Sequence, residues 1–241
     1  MPHNRFYIDA SLIPGSEVSF DKDESHHLEV MRTKNEEQVE IVNGRGDLAL
    51  GSVVNKNKIR INSLTHFPES PCQLIIAQGM PRFSRLDTIL EKGTELGMTS
   101  LWLFPGEKSD KTTLSQNQKE RMRKVLIASM KQCGSLHLPK LEFRPPIPSW
   151  DTLPYVTFFG DVRKDAPCFY SMWKKTLPQK GVIFVIGPES GLTDKEESHL
   201  KRLHANGVTL HTNILRTDTA PLAALSLMWH FLSLEKIPNF P

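Results

Sequence analysis

The chain has 241 residues, 39% of them hydrophobic and 24% charged, with 30 Lys and Arg against 27 Asp and Glu for a net charge of +3. That balance describes a globular chain with a real core, long enough for one large domain or two modest ones. No apolar run reaches the ~18 residues of a membrane-spanning helix, and the N-terminal MPHNRFYIDASLIPG has no apolar secretory core. Three cysteines (Cys72, Cys133, Cys168) without a C-x-x-C pair exclude a disulfide framework and a zinc site, so a reduced, cytoplasmic setting is expected.

The first 70 residues read as short strands. RFYI, VSF, QVEIVN, LALGSVV and KIRINSLTHF are rich in β-branched and aromatic residues, and turn signals at Pro14-Gly15, Asn43-Gly44 and Asn55 to Asn57 separate them. Only Glu24 to Arg32 has a helical look, with Leu28 and Met31 three apart. A small barrel with one helical turn is the economical reading. Pro68 and Pro71 punctuate the chain, which places the domain boundary there: residues 1–70, then 71–241. The two parts differ in charge. The first holds 8 basic and 11 acidic residues, a net of −3, and the second 22 and 16, a net of +6. The basic half is compatible with a polyanionic partner, and equally with an ordinary solvated surface.

Beyond Pro71 the pattern changes. CQLIIAQ is a continuous apolar run, as in a strand buried on both faces. Arg82 to Leu96 has apolar residues at helical spacing, SLWLFP is a second strand, and Gln116 to Gln132 a second helix. RPPIPSWDTLP at 144–154 reads as a surface connection. YVTFFGD and GVIFVIGP are further buried strands. Thr193 to Glu196 is a capping box opening a helix to about Asn206, with Gly207 just after it and VTLH a last strand. Thr219 is the expected N-cap of a final helix to Lys236, with Pro221 in its first turn. Strands alternating with helices argue for an α/β domain with a mostly parallel sheet covered on both faces.

Two motifs are set aside. GRGDLA at 44–49 matches a dinucleotide fingerprint, but a strand follows it where a helix is required, and Asn43-Gly44 is a hairpin signal. The His26-His27 pair has no further ligands at metal spacing, so no metal site is expected. Two others stand out. GPESGLT at 187–193 lies directly between a buried strand and a capped helix, where open α/β sheets bind ligands and where glycines let a backbone approach closely. NILRTDTA at 213–220 puts Ile214 and Leu215 in what should be a polar loop, which suits a loop folded inward against a flat ligand.

Together, GPESGLTxxE and ILRTDTA resemble the ligand loops of the RsmE-type methyltransferases of the SPOUT superfamily. RFY near the start, HHLEVMR at 26–32 and KGTELGM at 92–98 match in order, so the resemblance spans nearly the whole chain. It implies a PUA-like RNA-binding β-barrel over 1–70 and a SPOUT methyltransferase domain over 71–241 with a deep trefoil knot, which patterning alone does not reveal. It also implies a homodimer that uses S-adenosylmethionine to methylate N3 of a uridine, position 1498, in the 16S rRNA of the small subunit. Ser190 replaces a usual glycine, Leu192 a common aromatic and Asp218 a usual Glu, and an arginine usual after Gly134 is missing.

On that resemblance Phe159, Gly160, Gly187, Pro188, Glu189, Gly191, Ile214, Leu215 and Thr219 line a cofactor pocket read largely by backbone groups. Arg216 is the candidate catalytic residue, able to stabilise the uracil anion as N3–H is lost. Glu189 and Asp218 are both open as proton acceptors, and Glu189 alternatively caps the following helix. Arg5, His26, His27 and Arg32 on the barrel, with Arg82, Arg85 and Lys92, are the expected RNA contacts. The competing readings are a related SPOUT enzyme acting on ribose 2′-OH or tRNA, and a non-catalytic RNA-binding or assembly factor.

Overall fold

The computed structural model describes residues 4–109, 113–178 and 180–235, which form two compact units: 4–69 with 126–138, and 70–125 with 139–235.

In the first unit β1 (Arg5–Tyr7), β2 (Glu17–Ser19), β3 (Gln38–Val42), β4 (Asp47–Asn55) and β5 (Lys58–His66) form one sheet in the order β1-β3-β4-β5-β2. β1 and β3 are parallel and the other neighbours antiparallel. In β5, Ile59 and Ile61 are buried and Lys58 and Arg60 exposed, the two-residue period of a sheet with one wet face. Phe6, Ile41, Val53, Ile59 and Ile61 fill the inner face with Leu28 of α1 (Lys22–Val30). Gly51 is obligatory: a Cβ there would lie 2.6 Å from both Ile41 and Ile59. α1 starts two residues before the expected point because the Asp21 side chain accepts from Glu24 N at 2.8 Å. It stops before Arg32, which takes a left-handed φ of 55°. The expected hairpin at Asn43-Gly44 connects β3 to β4, which removes the dinucleotide reading of GRGDLA. The segment 126–138 also belongs to this unit. Met130 packs on Tyr7 and Val42, and Leu138 N donates to Gly44 O at 2.9 Å.

The second unit holds β6 (Gln73–Gly79), α2 (Phe83–Glu95), β7 (Ser100–Phe104), α3 (Gln116–Cys133, its C-terminal part in the first unit), β8 (Lys140–Phe143), β9 (Val156–Gly160), α4 (Phe169–Thr176), β10 (Gly181–Ile186), α5 (Asp194–Arg202), β11 (Asn206–Val208) and α6 (Ala220–Leu234). Six strands pair in parallel in the order β11-β9-β10-β6-β7-β8. Ile183 and Val185 face the α5 side with Trp102 and Phe104, while Phe184 faces the opposite side against Phe169 of α4. Both faces are covered, which is why these strands read as unbroken apolar runs.

Several expectations need correction. The 144–154 stretch is not a simple surface connection. It contains a 3-10 turn at Ile147–Ser149, and Trp150 is buried edge-on against Trp102 and Phe104 with its indole N–H on Pro145 O at 2.8 Å. Helix α5 ends at Arg202, four residues early. His204, at φ 63°, occupies the left-handed position, and Ala205 N and His204 N donate to Leu200 O and Lys201 O in a Schellman pattern. Gly207 lies inside β11, where a Cβ would meet Asp161 and Phe159 at 2.8 Å. Thr219 precedes α6, but its hydroxyl makes no capping bond. Lys236, at the expected end of that helix, lies outside the described residues.

Candidate active site

The chain runs from β6 outward through β7 and β8, then returns to place β9 and β10 on the other side of β6. The reversal lies between β6 and β10, and in open α/β sheets ligands bind at such a point, beyond the carboxyl ends of the strands. Three segments converge here: the end of β6, the 187–193 loop after β10, and the 209–219 segment before α6.

The floor is a buried amide. Gln78 is fully buried, and its Nε2 faces Gly79 O and Gly187 O at 3.1 Å and Thr217 Oγ1 at 2.9 Å. Thr217 Oγ1 donates onward to Gly187 O at 3.0 Å. Two carbonyls facing the same nitrogen fix the amide's orientation. Pro188 packs on the β6 end so closely that a Cβ on Gly79 would lie 2.6 Å from its Cδ.

The loop itself is built for its residues. Gly187 has no room for a Cβ, which would sit 2.7 Å from Gly191 C and Leu192 N, and Gly191 needs its φ of 75°. Ser190 has no such requirement. Its hydroxyl donates to Lys108 O at 2.8 Å, which accommodates the departure from glycine there. Leu192 packs against the apolar core under α5. The Thr193 capping box forms in full, and the fully buried Glu196 also accepts from Glu107 N at 3.0 Å.

At the rim, Arg85 Nη1 donates to both oxygens of Asp218 at 3.0 and 2.9 Å, and its Nε lies 3.4 Å from Glu189 Oε1. Glu189 Oε1 also accepts from Arg82 N at 3.0 Å. Glu189 therefore caps the N-terminus of α2, where a negative charge is favoured, and not the following helix. Arg85 is engaged by two site carboxylates instead of standing free for a phosphate.

The remaining candidates separate clearly. The backbone N–H groups of Ile214, Leu215 and Arg216 find no hydrogen-bond partner among the described residues, and Ile214 is 81% exposed, turned outward and not folded in. The Arg216 guanidinium is exposed, with no hydrogen bond or ion pair among the described residues, while its carbonyl accepts from Thr219 N and Ala220 N at 2.9 Å. The Phe159 ring is buried in the core, so only its backbone is on offer beside the exposed Gly160. Asp161, next in line, is buried and forked by Arg163, which holds its carboxyl below the usual range. Lys92 bridges Glu91 and Glu95 at 2.7 and 2.8 Å, and those bonds raise its pKa.

In the first unit Arg5 is only 9% exposed and bonds Glu40 at 2.7 Å. His26 and Arg32 are exposed. The His27 ring lies 4.9 Å from Phe6, beside the buried Glu24–Lys131 ion pair. Among the described residues no group of three or more His, Cys, Asp or Glu is placed to hold a metal.

Residues 68–229 match the model of the RNA methyltransferase domain family, and residues 20–62 that of the RNA methyltransferase PUA domain. The chain belongs to this RNA methyltransferase family. It is 28% identical over 225 residues to the ribosomal RNA small subunit methyltransferase E of Bacillus subtilis, covering 85% of this chain and 86% of the relative. Among solved structures it resembles the ribosomal RNA small subunit methyltransferase E of Neisseria gonorrhoeae bound to S-adenosyl methionine, with a TM-score of 0.82, 26% identity, and 96% and 98% of the two chains covered. A probable rRNA-methyltransferase from Porphyromonas gingivalis shares the fold at a TM-score of 0.82 and 20% identity, over 98% and 100% of the chains. The PUA match lies within the first unit, and the methyltransferase match covers most of the second unit together with the 126–138 segment of the first.

Sequence reasoning missed Gln78 and the role of Arg85. A signal for Gln78 existed: an amide closing an apolar strand buried on both faces must find partners. Nothing local marks Arg85, whose partners are over a hundred residues away.

Proposed function

We propose that this chain transfers a methyl group from S-adenosylmethionine to N3 of a uridine, position 1498, in the 16S rRNA of the small ribosomal subunit. The observation that carries the reading is the convergence of three loops at the sheet's switch point, their backbones locked by Gln78 and Thr217, in a chain that aligns with a relative solved with that cofactor. The site fits the group. The N–H donors of residues 214–216, unpartnered among the described residues, can read an adenine edge, Gly160 and Gly191 leave room for close approach, and the half-buried Leu215 offers an apolar face. Pro188, Glu189 and Thr219 complete the lining set. When bound, S-adenosylmethionine supplies an electrophilic methyl on a positively charged sulfur.

Arg216 then has a distinct task. Its guanidinium has no partner among the described residues, on a backbone whose carbonyl is held by Thr219 N and Ala220 N, so it can hold a uracil carbonyl as negative charge develops on loss of the N3 proton to solvent. Glu189 and Asp218 are both turned to Arg85 and are not offered as free acceptors. In the first unit His26 and Arg32 are the exposed candidates for RNA contact, and Arg5 is not. The division into a PUA-like barrel over 1–70 and a methyltransferase domain over 71–241, the homodimer and a cytoplasmic setting belong to the same proposal. So does the trefoil knot, supported by a chain that reaches edge strand β11 and then returns as α6 to pack on β6 and β10.

The test is nucleoside mass spectrometry of 16S rRNA from cells lacking the protein, where 3-methyluridine should vanish and return with the wild-type gene; persistence of the mark refutes the reading. In vitro, Arg216→Ala should lose about 10²–10³-fold in turnover, the range for one transition-state donor, with cofactor affinity unchanged.

A further inference from the structure

The floor of the site contains a polar group that stability alone does not explain. Gln78 is fully buried near the end of β6, directly after the apolar run Leu74 to Ala77, and its Oε1 has no hydrogen-bond partner among the described residues. An apolar side chain of similar volume would strand no oxygen there. What glutamine adds is its other end, which joins Gly187 and Thr217, 109 and 139 residues away in sequence.

We propose that Gln78 is a positioning residue for the cofactor site: through the Gly187 carbonyl and the Thr217 hydroxyl its amide locks the loop after β10 to the segment before α6 in the geometry that receives S-adenosylmethionine. The inference rests on the function proposed above. Its physical basis is preorganisation. Ordering both loops before the ligand arrives removes an entropic cost from binding. Thr217 follows directly on the free N–H groups of residues 214–216, so fixing its hydroxyl fixes their direction as well. Gln78 touches no reacting atom, so its loss should weaken cofactor binding and leave the chemistry at saturation nearly intact.

The experiment compares the wild-type chain with Gln78→Leu and Thr217→Val, the second a near-isosteric change that replaces the hydroxyl with a methyl group. Amide hydrogen exchange of the cofactor-free chains should quicken by roughly tenfold or more at Gly191, Thr219 and Ala220, whose N–H groups are bonded within the two loops to Pro188 O and Arg216 O, in both variants, as expected when a local opening is made easier. Calorimetry with S-adenosylmethionine should show a Kd raised about tenfold, with kcat at saturating cofactor within about threefold of wild type. A purely structural role would lower the melting temperature and leave the exchange pattern and Kd, measured well below it, unchanged. That result in either variant overturns the proposal, and should Gln78→Leu fail to fold, Thr217→Val decides alone. A wild-type chain that binds no cofactor refutes the functional reading, while the exchange data still decide whether Gln78 holds the loops.

Discussion

Arg85→Met is the most informative single perturbation of the rim. It keeps most of the apolar stem of the side chain and removes the cation between Asp218 and Glu189. The three side chains are 28%, 22% and 32% exposed, so the interactions are neither those of a solvated surface nor those of a core. Exposed pairs contribute roughly 0.2–1 kcal/mol. Charge-assisted bonds can reach about 1.5–3 kcal/mol. The two short bonds to Asp218, discounted for solvent screening, and the longer contact to Glu189 together suggest a loss of about 1–2 kcal/mol. For a chain of this length that lowers the melting temperature by roughly 2–8 °C. Removing the shared cation also leaves two carboxylates facing the same space, so the loss should exceed that of Asp218→Asn. A double-mutant cycle with these two substitutions should give a coupling energy of about 0.5–1.5 kcal/mol. The coupling should shrink in 1 M salt, where the Debye length falls to about 3 Å. Thermal denaturation at low and high salt measures both quantities. A coupling energy near zero at low salt would show that Arg85 is a solvated surface cation, as its place among the expected RNA contacts implied, and would refute the clamp.

Two further outcomes follow from the same geometry. His204→Gly should stabilise the second unit by about 0.5–1 kcal/mol, because glycine relieves the left-handed φ at the end of α5 while every hydrogen bond of the Schellman turn is kept; a lower urea midpoint would mean that the imidazole itself is needed. Glu197→Gln should raise the urea midpoint at pH 7. Burial, with the neighbouring Asp161 charge, holds the Glu197 pKa above its ordinary 4.5. The folded state therefore favours the protonated acid, and that contribution is present below pH 4.5 and lost as pH rises through the folded value. The variant's advantage should disappear near pH 4, and a variant less stable than wild type at pH 7 would refute the assignment.

The elements that could be read from the sequence are those whose signals are local. Apolar runs ending in Gly-Pro or Phe-Pro became β10 and β7, and the Thr193–Glu196 box capped α5 from both sides. What escaped notice had weak or distant signals. α4 carries its apolar face on two large side chains four apart, Phe169 and Trp173, in only 8 residues, too short for periodicity to register. The prolines at 144–154 suggested a surface loop, yet its Trp150 fills the core under α5, because prolines constrain backbone direction and not burial. Residues 126–138 join the first unit through contacts to Tyr7, Val42 and Gly44, which only the folded chain brings near.

The site divides along the same line. Gly187 and Gly191 were readable because their requirement is steric and local. Arg82, Arg85 and Lys92 were grouped as RNA contacts because a basic residue in sequence carries no mark of its partner. The structure gives Lys92 to acids one and three residues away, a pairing the helical spacing contained, but gives Arg85 to acids in two remote loops. Arg216 is the reverse case. Asp218, two residues from it in sequence, is held by Arg85, and the Arg216 guanidinium has no partner among the described residues. Arg85, by contrast, ties the two loops together at the rim, joining Asp218 before α6 and Glu189 after β10 to helix α2.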